Sequence, residues 1–344
     1  MNFITRHWYR REKTPPVYLR VLSRVYRYAI KKRRESYQSN RSKIYRSPVP
    51  VIVVGNISVG GTGKTPCIIA LAQYLKKQNY SPGVISRGYG GKSKNWPKLV
   101  DVDSSPLDVG DEPVLIAHST QCPVVVGPTR KDDIQLILKK HPETNIILSD
   151  DGMQHYAMAR DIEIAIIDGQ RLFGNGKLLP AGPLREPVSR LETVDFKLYN
   201  GAESPSSAGN DAFSMHLQPK AVYHLNNVIQ TCTLESFIGQ KVHAIAGIGN
   251  PQRFFDSLEK QGIEVIPHAF NDHHQFSESE LNFGDELNIV MTEKDAVKCK
   301  SFNVKNCWVI AVEAQINISF YERILSRLEN KNTMSENQEQ HYGS

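Results

Sequence analysis

A chain of 344 residues is long enough for two domains that each bury a core, and 40% apolar with 23% charged residues describes an ordinary globular protein. The net charge of +6 hides a division: residues 1–46 carry 14 of the 42 Lys and Arg against Glu12 and Glu35 alone, a net of +12, and the other 298 residues carry −6. No run of 18 apolar residues predicts a membrane span, the charged start lacks the apolar stretch of a cleaved signal, and five scattered cysteines without a C-x-x-C pair argue against a zinc or dithiol centre and suit a reducing compartment.

In the basic arm, 1–46, Pro15-Pro16 predicts a helix start, after which Tyr18, Val21, Leu22, Val25, Ala29 and Ile30 recur at spacings of three and four. Arg20, Arg24, Arg27 and Lys31 fall mainly off this stripe, and Trp8, Tyr9, Tyr26 and Tyr28 supply rings suited to a headgroup boundary. The pattern suits an amphipathic helix lying on an anionic membrane surface. The rival reading packs the stripe on the protein's own body. Nucleic acid is the third partner that such charge suits, and no nucleic-acid fold signature accompanies it.

The apolar stretch Val49 to Val54 runs into GNISVGGTGKTP, Gly55 to Pro66, and then into a helical pattern, the order of strand, glycine turn and helix that a phosphate cradle requires. Backbone N–H groups of Gly60, Gly61 and Gly63 can close on phosphate oxygens because no Cβ blocks the approach, and the helix aims its positive end at the same anion. The cradle comprises Ser58, Val59, Gly60, Gly61, Thr62, Gly63, Lys64 and Thr65, with Lys64 reaching the β/γ-phosphates and the Thr65 hydroxyl a ligand for Mg²⁺. Ser58 stands where the strict pattern begins with glycine. A ligand-free glycine turn is the plainer alternative.

Short apolar segments then alternate with helical ones: Pro82–Ile85, Pro123–Val126, Asp132–Lys140, Asn145–Leu148 and Ile162–Asp168. This predicts an α/β fold of P-loop NTPase type, a doubly wound, mostly parallel sheet, over residues 47–218. Loop chemistry at Glu203–Asn210 precedes a second, smaller α/β domain, 219–328, with apolar runs at Lys241–Ala246, Glu264–Ile266 and Asn288–Met291. The G-x-G at Gly247 and Gly249 is weak evidence for a second nucleotide site and reads better as a tight turn into a helix. The polar tail, 329–344, is expected to be disordered.

Several constellations carry chemistry, each beside a plainer reading. Asp150 and Asp151 end an apolar strand, as carboxylates that hold Mg²⁺ near a P-loop do, or as a turn does; Gln154 and His155 follow near the phosphates. Ser86–Gly91 ends another strand and lines the same crevice or forms a surface loop. Asp111 and Glu112 follow Gly110, one suited to be a general base and the other to approach the metal, or both to start a helix. Arg185, in a proline-bounded loop, suits charge on a transferring phosphoryl group or a surface salt bridge. Of His273 and His274, adjacent and so pointing apart, one suits proton handling, or the two are an exposed, inert pair.

Taken in order, GNISVGGTGKTP, SRGYGG, DVGDEP, SDDGMQH, PAGPLREP, NDHH and MTEKDAVK, spanning Gly55 to Lys298, resemble the tetraacyldisaccharide 4'-kinase family of lipid A biosynthesis. The basic N-terminus is similar to that family's membrane-associating helix. The resemblance implies ATP-dependent phosphorylation of the 4'-hydroxyl of a tetraacyldisaccharide 1-phosphate to give lipid IVA, with ATP and Mg²⁺ as cofactors, at the cytoplasmic face of a Gram-negative inner membrane. It implies the lipid and the anionic membrane surface as partners, with no nucleic acid and no obligate protein partner, and a C-terminal domain closing over the nucleotide. By the same resemblance Asp111 is the catalytic base and His273 its partner, chosen over His274 by the family's Asp-His pairing. Lys64 and Arg185 are phosphate contacts, and Thr65, Glu112, Asp150 and Asp151 are the metal neighbourhood. Met153 stands where an aromatic residue is commoner in the family. The rival class is a P-loop ATPase or switch whose helix docks a membrane or partner.

Overall fold

A computed structural model describes residues 7–9, 14–101, 103–206 and 209–342. Helix α1 (Val17–Ser39) precedes β1 (Val51–Gly55), and the glycine turn leads into α2 (Lys64–Lys77). Then come β2 (Pro82–Ser86), β3 (Lys98–Val100), α3 (Pro106–Val109), α4 (Asp111–Thr120), β4 (Val124–Val126), α5 (Arg130–Lys140), β5 (Ile146–Asp150), β6 (Ile162–Asp168) and β7 (Phe196–Asn200). The long β8 (Ala212–His224) and β9 (Asn227–Cys232) are followed by β10 (Lys241–Ala246), α6 (Pro251–Glu259), β11 (Glu264–Ala269), β12 (Asn288–Thr292), α7 (Glu293–Cys299), β13 (Cys307–Ile316) and α8 (Ile318–Tyr342).

These strands form one sheet in the order β11-β10-β12-β13-β8-β7-β6-β1-β5-β2-β4-β3, with β9 paired to β8 off this path. Among the named strands, pairing is antiparallel only at β8–β13, β8–β9 and β3–β4, so the predicted mostly parallel α/β sheet is the fold. The expected boundary between residues 218 and 219 falls inside β8, whose Leu217 and Pro219 pair with Ala314 and Val312 of β13. We propose that the strands on either side of this β8–β13 ribbon act as two lobes.

Alternation along β1 supplies both faces of the first lobe. Ile52 and Val54 point into a core with Ile68, Leu71 and Leu75 of α2 and Phe320 and Ile324 of α8, and Val51 and Val53 join Ile134 and Ile137 of α5 on the other face. Helix α8 continues through 329–342, where composition predicts disorder; that stretch has no glycine or proline to stop a helix.

Helix α1 divides the stripe read from its sequence. Leu19 and Ser23 are buried and Tyr26 and Ile30 pack on the core, a face at spacings of three and four. Tyr18, Val21, Leu22 and Val25, expected with Ile30 on one stripe, are exposed instead, as are Val17 and Tyr28. The apolar sector of this helix covers more than half of its circumference, so periodicity alone cannot say which part of it the body covers.

Candidate active site

Strand β1 lies between β5 and β6, and the glycine turn leaves its carboxyl end, where ligands of open α/β sheets bind. Gly60 and Gly63 take φ of 106° and 97°, the left-handed region open to glycine, and a Cβ on Gly63 would come 2.4 Å from Nδ2 of Asn200. The turn is held from behind. Asn200 Nδ2 donates to the Thr62 carbonyl at 2.8 Å, and Asn56 Nδ2 donates to the Thr62 hydroxyl at 3.1 Å. Ser58 bridges to Leu184, and the Val59 N–H donates to the Pro183 carbonyl at 2.8 Å. The irregular first position therefore anchors the cradle to the loop that carries Arg185. Thr65 is buried at the start of α2.

The two acids that end β5 have different surroundings. Asp150 is buried and accepts from the Ser86 hydroxyl at 3.1 Å through Oδ2, while its Oδ1 has no hydrogen-bond partner. Burial, with the charge of Glu112 second, pushes its carboxyl up. Asp151, at a left-handed φ of 48°, turns to the cations. Arg185 Nη1 donates to its two oxygens at 3.0 and 2.8 Å, and Lys64 Nζ lies 3.7 Å away. Burial opposes its charge, yet Lys64 and Arg185 hold its carboxyl down at about 2.

Asp111 opens α4 behind Gly110, whose φ of 93° turns the chain; a Cβ there would come 2.8 Å from the Tyr89 carbonyl. The Asp111 side chain is buried, and its Oδ1 and Oδ2 lie 2.9 and 3.0 Å from Nδ1 of His273. His273 sits at a φ of 60°, with the Tyr89 ring 5.0 Å from its own. The SRGYGG segment thus borders this pair. His274 turns away to Glu280 Oε1 at 3.1 Å, so geometry separates the adjacent histidines. Burial alone would raise the Asp111 carboxyl, but the His273 bond and the charges of Lys294 and Lys298 outweigh it and hold it below its ordinary range. Burial likewise opposes the His273 imidazolium, and the bond to Asp111 prevails and raises it.

Glu112 faces Lys294, whose Nζ is 2.8 Å from its Oε1. Gln154 donates to Glu186 at 2.7 Å and to the Asn56 carbonyl at 3.1 Å, a brace under the cradle. His155 is neutral at ordinary pH, because burial and then Arg130, Arg87 and Arg33 lower it to about 4.

Several residues escape a reading by motif. Arg130, buried with Asp133, donates to the Asp150 carbonyl at 3.3 Å. Arg171, held by Asp168 at 2.8 Å, donates to the carbonyls of Gly61 at 2.7 Å and Gly249 at 3.2 Å, one in each lobe. The G-x-G turn of the second lobe packs against the cradle: a Cβ on Gly249 would come 2.2 Å from the Gly61 nitrogen. The only signal in the sequence for Gly249 is that glycine pair.

A family profile described as Tetraacyldisaccharide-1-P 4'-kinase matches residues 16–329. The chain is 48% identical to a tetraacyldisaccharide 4'-kinase of Methylobacillus flagellatus over 95% of this chain and 96% of that one. It is 44% identical to one of Nitrosococcus oceani over 95% of each. A crystal structure of LpxK from Aquifex aeolicus in complex with ATP superposes with a TM-score of 0.74 at 28% identity, covering 90% of this chain and 98% of that one. The match over nearly the whole length means that the chain belongs to the tetraacyldisaccharide-1-P 4'-kinase family.

Proposed function

We propose that the protein transfers the γ-phosphoryl group of ATP to the 4'-hydroxyl of a tetraacyldisaccharide 1-phosphate at the cytoplasmic face of an inner membrane. The observation that carries this reading is the buried Asp111 carboxylate, hydrogen-bonded to His273 and adjacent in sequence to Glu112, whose charge is felt at Asp150 beside the cradle. An ionised carboxylate without a donor of its own is suited to accept a proton.

The phosphates sit on the N–H groups of Gly60, Gly61 and Gly63 at the positive end of α2, and Lys64 and Arg185 exchange Asp151 for phosphate oxygens. The sugar oxygen attacks the γ-phosphorus as Asp111 takes its proton. The bond to the β,γ-bridging oxygen breaks, ADP leaves, and Arg185 balances the charge spreading over the transferred group. His273 holds the Asp111 carboxylate in the orientation that receives the proton.

The donor set fits Mg²⁺. Asp150 keeps an unpartnered buried oxygen, Thr65 lies at the start of α2, and Asp151 and Glu112 stand near. Mg²⁺ is commonly held by one or two carboxylates and completes its shell with waters and substrate phosphates. Bound there, Mg²⁺ would neutralise charge on the β- and γ-phosphates.

The acceptor's acyl chains give α1 its purpose. No helix among the described residues is long and apolar enough to cross a membrane, but α1 exposes Val17, Tyr18, Val21, Leu22, Val25 and Tyr28. Arg20, Arg24, Arg27 and Lys177 line a shallow cavity of about 230 Å³ beside it. The helix is also tied to the site, through Tyr26 Oη to the Arg185 carbonyl at 3.0 Å and the Ser23 hydroxyl to the Leu178 carbonyl at 2.9 Å. A helix seated on anionic lipid would thereby present the Arg185 loop to the membrane. The test is product analysis after incubation with ATP, Mg²⁺ and the tetraacyldisaccharide 1-phosphate. A second phosphomonoester on the 4'-position by ³¹P NMR is expected, and phosphate elsewhere or none on the lipid refutes the proposal.

A further inference from the structure

The segment Met291-Thr-Glu-Lys-Asp-Ala-Val-Lys298 has no part in the chemistry above, yet one of its lysines reaches the candidate base and another reaches the residue next to it. Strand β12 ends at Thr292, whose hydroxyl accepts from the Asp295 N–H at 3.2 Å and caps α7. Residues 294 and 298, four apart, then share one helix face, and that face meets the start of α4. Lys294 Nζ lies 2.8 Å from Glu112 Oε1 and 3.0 Å from Asp272 Oδ1. Lys298 Nζ lies 3.9 Å from Asp111 Oδ2, but Asp295 Oδ1 holds it at 2.7 Å, and Asp295 is itself fixed by the Gly247 N–H and the Thr292 hydroxyl. Lys298 is therefore an anchored charge, and Lys294 spans the two lobes.

The pattern of contacts is specific. Glu112 follows Asp111 and Asp272 precedes His273, so Lys294 grips the sequence neighbour of each member of the pair. We propose that Lys294 is a positioning residue for phosphoryl transfer, its ammonium tying the start of α4 to the 271–274 loop so that Asp111 and His273 meet within hydrogen-bond distance. This rests on the reading of Asp111 as proton acceptor. Without the ammonium, Glu112 and Asp272 become unpaired carboxylates on facing elements, and repulsion drives the loop from α4. Asp272 Oδ2 also lies 3.8 Å from Nε2 of His273, so a released Asp272 competes with Asp111 for the imidazole. Lysine suits the post because one compact ammonium with three donors can serve both acids at once.

The experiment measures steady-state transfer to the lipid acceptor, together with binding of a fluorescent ATP analogue, for Lys294→Met, Lys294→Arg and His273→Ala and for Lys294→Met in the His273→Ala background. Lys294→Met should lower kcat roughly tenfold to a hundredfold, the cost of misplacing a reacting group by about an ångström. KM for ATP and affinity for the analogue should stay within about twofold, and Lys294→Arg should recover part of the loss. In the His273→Ala background the same change should cost no more than about twofold, because nothing remains to be positioned. Equal losses in both backgrounds, or an unchanged kcat, overturn the proposal. Should Lys294→Met fail to fold, Asp272→Asn cuts the tether from its more exposed end. A fall in kcat with unchanged analogue binding then supports the role, and wild-type kcat refutes it. A wild-type enzyme that labels no lipid defeats the kinase reading itself, a different outcome from active wild type with additive variants.

Discussion

His273 Nδ1 lies 2.9 Å from Asp111 Oδ1 although 162 residues separate them in sequence, and the bond joins the start of α4 in one lobe to a loop of the other. Each partner shifts the other: Asp111 titrates below its ordinary 3.8 and His273 above its ordinary 6.5, burial working against both charges and the bond overcoming it. The lowered acid contributes stability above 3.8 and loses it as pH falls through its folded value. The raised histidine contributes fully below 6.5 and loses its share as pH rises through its folded value. The cross-lobe bond is therefore strongest between these limits. In an NMR titration the His273 midpoint should lie above 6.5 and move down in Asp111→Asn; a midpoint indifferent to that change would break the link between the two groups.

Arg185 gives its Nη1 to both oxygens of Asp151, next to Lys64, and so rests on a carboxylate in the place proposed above for phosphate oxygens. Arg185→Ala should reduce turnover by about 10²–10³, the range for removing one preorganised donor to developing charge. Arg185→Lys should restore only part, because an ammonium lacks the planar fork. Steady-state kinetics decide the matter, and a lysine variant as active as wild type would argue for a bare point charge.

Gly249 rests against Gly61, and the Arg171 guanidinium spans their carbonyls. A methyl group at position 249 has no room, so Gly249→Ala should lift the second lobe's turn from the cradle. Amide hydrogen exchange at Gly60–Thr62 should accelerate, while exchange in β1 and β5 stays as in wild type. Unaltered protection of the cradle would mean that the turn does not cover it.

The outward face of α1 predicts a surface-binding defect without a folding defect. Val21 and Val25 are exposed, so Val21→Asp with Val25→Asp should leave the melting temperature close to wild type. Binding to vesicles containing phosphatidylglycerol should fall by about tenfold or more, since each valine forfeits part of the ~1.5–3 kcal/mol of a buried aliphatic side chain. Equal binding of wild type and double variant in a sedimentation assay would return this face to plain solvent exposure.

Much of this architecture is legible in the sequence where strands are buried on both faces. The apolar runs at Ile162–Asp168 and Lys241–Ala246 are β6 and β10 to the residue, because central parallel strands need no polar alternation. Strand β8 was hidden by Gln218, Pro219, Lys220 and other polar residues along its half-exposed length, and with it the ribbon that fuses the two halves into one sheet. In the site, the order of strand, glycines, Lys64 and Thr65 announces the cradle, because those residues are contiguous. Contacts such as Lys294–Glu112, separated by 182 positions, depend on how the lobes dock and leave no local trace. The choice between His273 and His274 is likewise a matter of backbone direction: a left-handed turn at His273 points one ring at Asp111 and leaves its neighbour to Glu280.

In the proposed reaction a P-loop and the Asp111–His273 pair together move a phosphoryl group onto a lipid hydroxyl. The most direct test follows [γ-³²P]ATP in detergent–lipid mixtures with and without tetraacyldisaccharide 1-phosphate, for wild type and Asp111→Asn. Label should pass to the lipid and ADP should form only when acceptor is present, and Asp111→Asn should slow transfer by about 10²–10⁴ while ATP binding persists. Brisk acceptor-independent hydrolysis with no labelled lipid would rule out a lipid kinase, and an Asp111→Asn enzyme as fast as wild type would remove Asp111 as its base.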